Sequence, residues 1–77
     1  MSGSTCKTIS IHTDFIRLDA FLKLAGAVIT GGEAKLAITE GQVSVNGEPC
    51  TMRGKKLRDG DAVRYESTEY TVRYDAI

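Results

Sequence analysis

Gly41-Gln42-Val43-Ser44-Val45-Asn46-Gly47-Glu48-Pro49 is the stretch on which the fold turns. Val43 and Val45 alternate with Gln42 and Ser44, the period of a strand with one apolar face. Asn46-Gly47 is the strongest short hairpin signal, because a type I′ turn needs positive φ at both central positions. The return arm is Glu48-Pro49-Cys50-Thr51, and Pro49 has no amide hydrogen to give, so this arm is short or lies at a sheet edge. Cys50 reads as a small hydrophobe at its end. Gly41 stands where a preceding helix would enter the left-handed region and stop. A helix therefore runs directly into a hairpin.

Upstream of Gly41, Ala34, Ala37 and Ile38 recur at helical spacing, and Thr30-Gly31-Gly32-Glu33 fits the S/T-x-x-E capping box, with the Thr30 hydroxyl accepting from the Glu33 amide. The small residues Ala34 and Ala37 suggest close approach to a neighbour. Two glycines in the first turn lower helix propensity by roughly 1 kcal/mol each. Their reading is tight packing of the preceding loop, with approach of an anion to free amides as the alternative. Before them, Leu18, Phe21, Leu22 and Ala25 form the stripe of an amphipathic helix, ended by Gly26. Lys7-Thr8-Ile9-Ser10-Ile11-His12-Thr13 alternates as a strand. Phe15 and Phe21 read as core.

Downstream, Asp59-Gly60-Asp61 turns the chain into Ala62-Val63-Arg64-Tyr65-Glu66, and Ser67-Thr68 joins that strand to Glu69–Tyr74. Asp59 and Asp61 read as turn residues, not a catalytic pair; the three tyrosines read as sheet packing. The order of strand, helix, helix and strands predicts an α+β fold, two short helices packed on a small, mainly antiparallel sheet. At 77 residues, 1–77 is expected to be a single domain with a flexible N-terminus over 1–6.

Composition narrows the chemistry. The 42% apolar content is ordinary for a globular chain. No apolar run approaches the roughly 20 residues of a membrane span, and the first residues lack the apolar core of a signal peptide, so a cytoplasmic protein with no membrane partner is expected. Cys6 and Cys50 stand apart, His12 is the sole histidine, and no Gly-rich phosphate loop is present. Neither a metal site nor a nucleophile–base pair can be assembled from these, so no cofactor, no metal and no catalytic activity are expected.

Charge is zero overall but uneven. Residues 1–51 carry a net minus one, 53–58 a net plus four, and 59–77 a net minus three. The run Arg53-Gly54-Lys55-Lys56-Leu57-Arg58 reads either as a solvated turn that keeps a sheet edge soluble or as a set of phosphate contacts.

Taken together, Arg17-Leu18-Asp19-Ala20-Phe21-Leu22, Gly26, Ala34, Gly41–Gly47 and Gly60-Asp61 resemble the S4-type RNA-binding domain, also called the αL motif, whose pattern begins R-L-D-x-x-L and reaches G-x-V-x-V-N-G. The match runs from about residue 17 to 63. Thr30 to Lys35, T-G-G-x-A-K, and the R-G-K-K run look most like small stand-alone bacterial members. The resemblance implies an L-shaped surface of two helices and a hairpin that grips structured RNA, ribosomal or transfer RNA above all. Carried over position by position, it implies RNA contacts at Arg17, Thr30 and Lys35 on the helices and at Arg53, Lys55 and Lys56 after the hairpin; Arg58 joins them by charge. Many members read S-R before the second helix, whereas this chain has Thr30 and Gly31, so that arginine is absent and Lys35 and the basic run are the candidates to compensate.

The expected mechanism is phosphate gripping by a few cations on a rigid scaffold, as duplex RNA hides its base edges in a deep, narrow groove. Two Phe, three Tyr and no Trp do not suggest single-strand stacking as the main mode. The alternative function is a protein-interaction module of the same fold, associating with a ribosomal or RNA-modifying protein without touching RNA.

Overall fold

The pairing of a seven-residue strand at each end of the chain organises the sheet. In a computed structural model that describes residues 5–75, the elements are β1 (Thr5–Ile11), β2 (Ile16–Arg17), α1 (Leu18–Leu24), α2 (Gly31–Thr39), β3 (Val43–Val45), β4 (Glu48–Pro49), β5 (Lys56–Leu57), β6 (Ala62–Tyr65) and β7 (Thr68–Tyr74). Five strands form one sheet in the order β1-β7-β6-β3-β4. The β3–β4, β3–β6 and β6–β7 pairs are antiparallel, and β1 lies parallel to β7 from Thr5↔Thr68 to Ile11↔Tyr74. The fold is α+β with a mainly antiparallel sheet. β2 and β5 pair apart from it, with Ile16 opposite Leu57 and Arg17 opposite Lys56.

Local chemistry accounts for the boundaries. Asn46 and Gly47 adopt φ of 53° and 87°, as a type I′ turn requires, and Pro49 sits on the edge strand β4. Gly26 and Gly41 follow the two helices at φ of 78° and 77°. Thr30 Oγ1 accepts from the Glu33 amide at 3.1 Å, as the capping pattern predicts. The reciprocal bond is shifted by one residue: Glu33 Oε1 accepts from the Ile29 amide at 2.9 Å.

The core joins both layers. Leu18, Phe21 and Leu22 of α1 and Ala34, Ala37 and Ile38 of α2 are buried with Val43, Val45, Val63, Tyr70 and Val72 of the sheet. Phe21 meets Tyr70 edge to face, ring centroids 6.3 Å apart. Alanine at 34 and 37 lets α2 approach, as its small side chains predict.

Four expectations are corrected. Phe15 is not core: it is 38% exposed. β1 ends at Ile11 rather than Thr13, and the Nδ1 of His12 stands 2.9 Å from the Asp75 carbonyl. The β6–β7 turn is Glu66-Ser67, not Ser67-Thr68, with Glu66 at φ 58°. No packing explains the helix glycines: a Cβ on Gly31 would meet nothing within 4 Å, and one on Gly32 only Thr30 Oγ1 at 4.0 Å. The flexible segment expected over 1–6 falls largely on residues outside those described, and Thr5 and Cys6 open β1.

Candidate nucleic-acid interface

The basic run is tied by its backbone to the first turn of α1. A helix starts with unpaired amides that need acceptors. Here the Leu18 amide donates to the Lys55 carbonyl at 2.8 Å and the Asp19 amide to the Arg53 carbonyl at 3.1 Å, while the Ala20 amide donates to Asp19 Oδ1 at 2.8 Å. The Lys55 amide in turn donates to the Met52 carbonyl at 3.0 Å, closing a tight turn around Arg53 and Gly54. The run is therefore neither a free turn nor wholly solvated. Its carbonyls cap α1, and Leu57 is fully buried in the core.

This docking distributes the cations. Directly opposed residues of an antiparallel pair share a face, so Arg17 and Lys56 stand side by side while Ile16 and Leu57 turn inward. Arg58, two residues beyond Lys56, returns to the same face. Phe15, two before Arg17, does so as well: Lys56 Nζ lies 4.9 Å and Arg58 Cζ 5.7 Å from its ring centroid. Arg17 Nη2 is 3.2 Å from Asp19 Oδ2, in a largely solvated pair worth little by itself. Arg53, Lys55, Lys56 and Arg58 make no ion pair with any carboxylate among the described residues.

Asp61 fixes the far end of the run. Its Oδ2 accepts from the Arg58 amide at 2.8 Å and its Oδ1 from Asn46 Nδ2 at 3.1 Å, and its own amide donates to the Arg58 carbonyl at 3.0 Å. Asn46 Oδ1 accepts from the Ala62 amide at 3.0 Å. Asp59 Oδ1 accepts from the Tyr74 amide at 2.8 Å. Both carboxylates thus serve the turn, and Asp61 links the β3–β4 hairpin to the basic run.

A second cationic group adjoins the first. A shallow depression of about 260 Å³ is lined by Arg17, Asp19, Ala20, Lys23 and Gly31. Lys35 lies one helical turn beyond Gly31 on the same side of α2. Thr30 is engaged as a cap acceptor, which leaves its hydroxyl hydrogen available to a ligand. Lys55 goes elsewhere. It lines a depression of about 230 Å³ with Val45, Asn46, Glu48, Pro49, Cys50 and Met52, on the hairpin side. The structure thus brings Arg17, Lys56 and Arg58 together, places Gly31 and Lys35 beside them, and separates Lys55. Arg53 is exposed at the tip of the turn.

Two residues escaped the sequence reading. Lys23 shares a face of α1 with Asp19 and Ala20 and was treated only as net charge. Phe15 alternates with Ile16 and Arg17, a signal of two-residue reach that a short strand leaves ambiguous. The Tyr65 hydroxyl is held above the usual phenol value by burial, then by Glu66, Glu33 and Tyr70, so it stays protonated at neutral pH. Among the described residues no cluster of three or more His, Cys, Asp or Glu is placed to hold a metal, and no helix is long and apolar enough to cross a membrane.

Comparison with known proteins agrees with this architecture. The S4 domain pattern matches residues 9–73. The chain is similar to the Bacillus subtilis (strain 168) protein called probable ribosome maturation protein RlbA, with 50% identity over 58 residues, which span 75% of this chain and 82% of that protein. On the extent of both matches, and with two helices set on a mainly antiparallel sheet, the chain belongs to the S4 domain family.

Proposed function

We propose that this chain is a non-catalytic RNA-binding protein that grips structured RNA through the face built from Arg17, Thr30, Lys35, Lys56 and Arg58, with Arg53 and Lys55 at its margin, and that it acts in the cytoplasm in ribosome maturation. Family membership and the name of the Bacillus subtilis relative support an RNA-binding or ribosome-associated role. Ribosomal RNA is the leading substrate, with transfer RNA the other member of the class. One observation carries the reading: Arg17 and Lys56 are held directly opposite one another across β2 and β5. Like charges so placed are destabilising on their own. A polyanion lying across the face turns that repulsion into attraction, and a rigid face spends no binding energy on ordering itself.

The test is fluorescence anisotropy against an RNA hairpin, its DNA counterpart and a single strand over a salt series. The reading expects tightest binding to the RNA hairpin, with affinity falling as salt rises. Equal weak binding to all three by folded protein overturns it.

A second reading draws on the exposed apolar side chains Leu24, Ile29 and Leu36 on the helical layer. It takes the domain as a docking module for a ribosomal or RNA-modifying protein, with no RNA contact. The same assay separates the two, because this reading expects no preference for RNA.

A further inference from the structure

Phe15 is the feature of this face that phosphate gripping does not use. A phenyl ring 38% exposed leaves apolar surface in water, and an aliphatic or polar residue would serve a β-strand edge at lower cost. The other phenylalanine, Phe21, is fully buried. Phe15 is also held in place. The Thr13 hydroxyl donates to the Phe15 carbonyl at 2.7 Å, and Ile16 and Arg17 are fixed by pairing with Leu57 and Lys56. Around its ring stand Lys56 and Arg58, 4.9 and 5.7 Å from the centroid.

We propose that Phe15 is a stacking platform for one unpaired nucleobase, so that the RNA this face takes is a duplex interrupted by an unpaired nucleotide. The inference rests on the RNA-binding reading above and narrows its substrate. Every base offers a π-face, and exposed bases in RNA loops and bulges stack on aromatic rings or on the planes of arginine guanidinium groups. Both surfaces are present here. A base laid on the Phe15 ring displaces the solvated Lys56 ammonium toward the adjoining phosphate and leaves the Arg58 guanidinium free to cover the base from its other side. In the free protein the two cations shield the exposed ring through cation–π contact. A fully paired duplex keeps its bases stacked inside and presents none to Phe15.

The experiment compares two RNA duplexes of the same sequence, one fully paired and one with a single bulged 2-aminopurine, by anisotropy and by 2-aminopurine fluorescence. The parent protein is expected to bind the bulged duplex roughly tenfold more tightly, with a change in fluorescence on binding. Phe15→Ala and Phe15→Leu should lose that preference, Phe15→Trp should keep it, and all three should bind the paired duplex within about twofold of the parent. Thermal melting confirms that each variant is folded, and Phe15→Leu retains an apolar side chain at the site. Equal binding of both duplexes by the parent, or a preference that survives in Phe15→Leu, overturns the platform and leaves RNA binding standing. Binding of neither duplex overturns the RNA reading itself.

Discussion

The two neighbouring lysines of the basic run answer to different surroundings. Lys56 stands opposite Arg17 and over Phe15, whereas Lys55 lines the depression beside Glu48, Pro49 and Met52. Lys56→Glu is therefore expected to weaken RNA-hairpin binding by roughly tenfold or more and to lower the salt slope by about one or two. It should leave thermal stability unchanged or slightly raised, since a carboxylate opposite Arg17 replaces a like-charge pair by an opposite-charge pair. Lys55→Glu should cost far less affinity. Paired anisotropy and melting curves check both, and equal losses for the two variants would show that the cations act as an undivided cluster. At Gly31 the open space around the Cβ position makes Gly31→Arg a direct gain-of-function test. It restores the arginine common in the family beside Arg17 and Lys23, so tighter binding and a salt slope steeper by about one are expected. Gly31→Ala should bind RNA like the parent if side-chain cations carry the grip. A clear loss in that variant would assign the contact to the backbone amides at the start of α2.

Each element states how far its formation is a local matter. The capping residue Thr30, the glycines after both helices and the Asn46-Gly47 turn each act within a few residues, so α1, α2 and the β3–β4 hairpin were readable from spacing alone. β2 and β5 were not, because two residues show no periodicity and their pairing joins positions about forty residues apart. The parallel course of β1 along β7 escaped for the same reason, since nothing in Thr5–Ile11 specifies the direction of a distant partner. Phe15 was misassigned because an apolar residue beside a strand is ordinarily core, and the cations that lie over its ring arrive from that distant segment. The cationic side chains of the candidate site were thus legible as a run, but their division between two faces was not.

The parallel register makes its own prediction. The Thr5 amide donates to Ser67 and the Ile11 carbonyl accepts from Asp75, so odd-numbered residues of β1 turn their backbone groups toward β7 and Cys6, Thr8 and Ser10 turn theirs to the free edge. Proline is tolerated where the lost amide faces outward. Thr8→Pro should then be mild, while Lys7→Pro should cost about 1–3 kcal/mol, a drop in Tm of several degrees or more for a domain this small. Melting curves that rank the two the other way would contradict the register. Similarly, Thr30→Ala removes the acceptor of the Glu33 amide and should cost about 1 kcal/mol, measured by the same means.

Over the whole molecule, ten basic and ten acidic side chains cancel, so long-range steering toward a polyanion is weak and recognition depends on how charges are arranged locally. The fold supplies that arrangement. Two carbonyls of the basic run cap α1, Asp61 clamps the end of the run to the hairpin, and the buried Leu57 pins its middle to the core. Leu57→Ala should therefore act at a distance as well as locally. It is expected to lose about 2–5 kcal/mol of stability and, in the fraction that remains folded, to weaken RNA binding by loosening Lys56 and Arg58. The most direct test of the central claim is the salt dependence of RNA-hairpin binding by the parent protein beside Lys56→Glu. Engagement of about five cations predicts a log–log slope of roughly −4 for the parent and a distinctly shallower one for the variant. A parent slope near zero, or identical slopes for both proteins, would contradict the account.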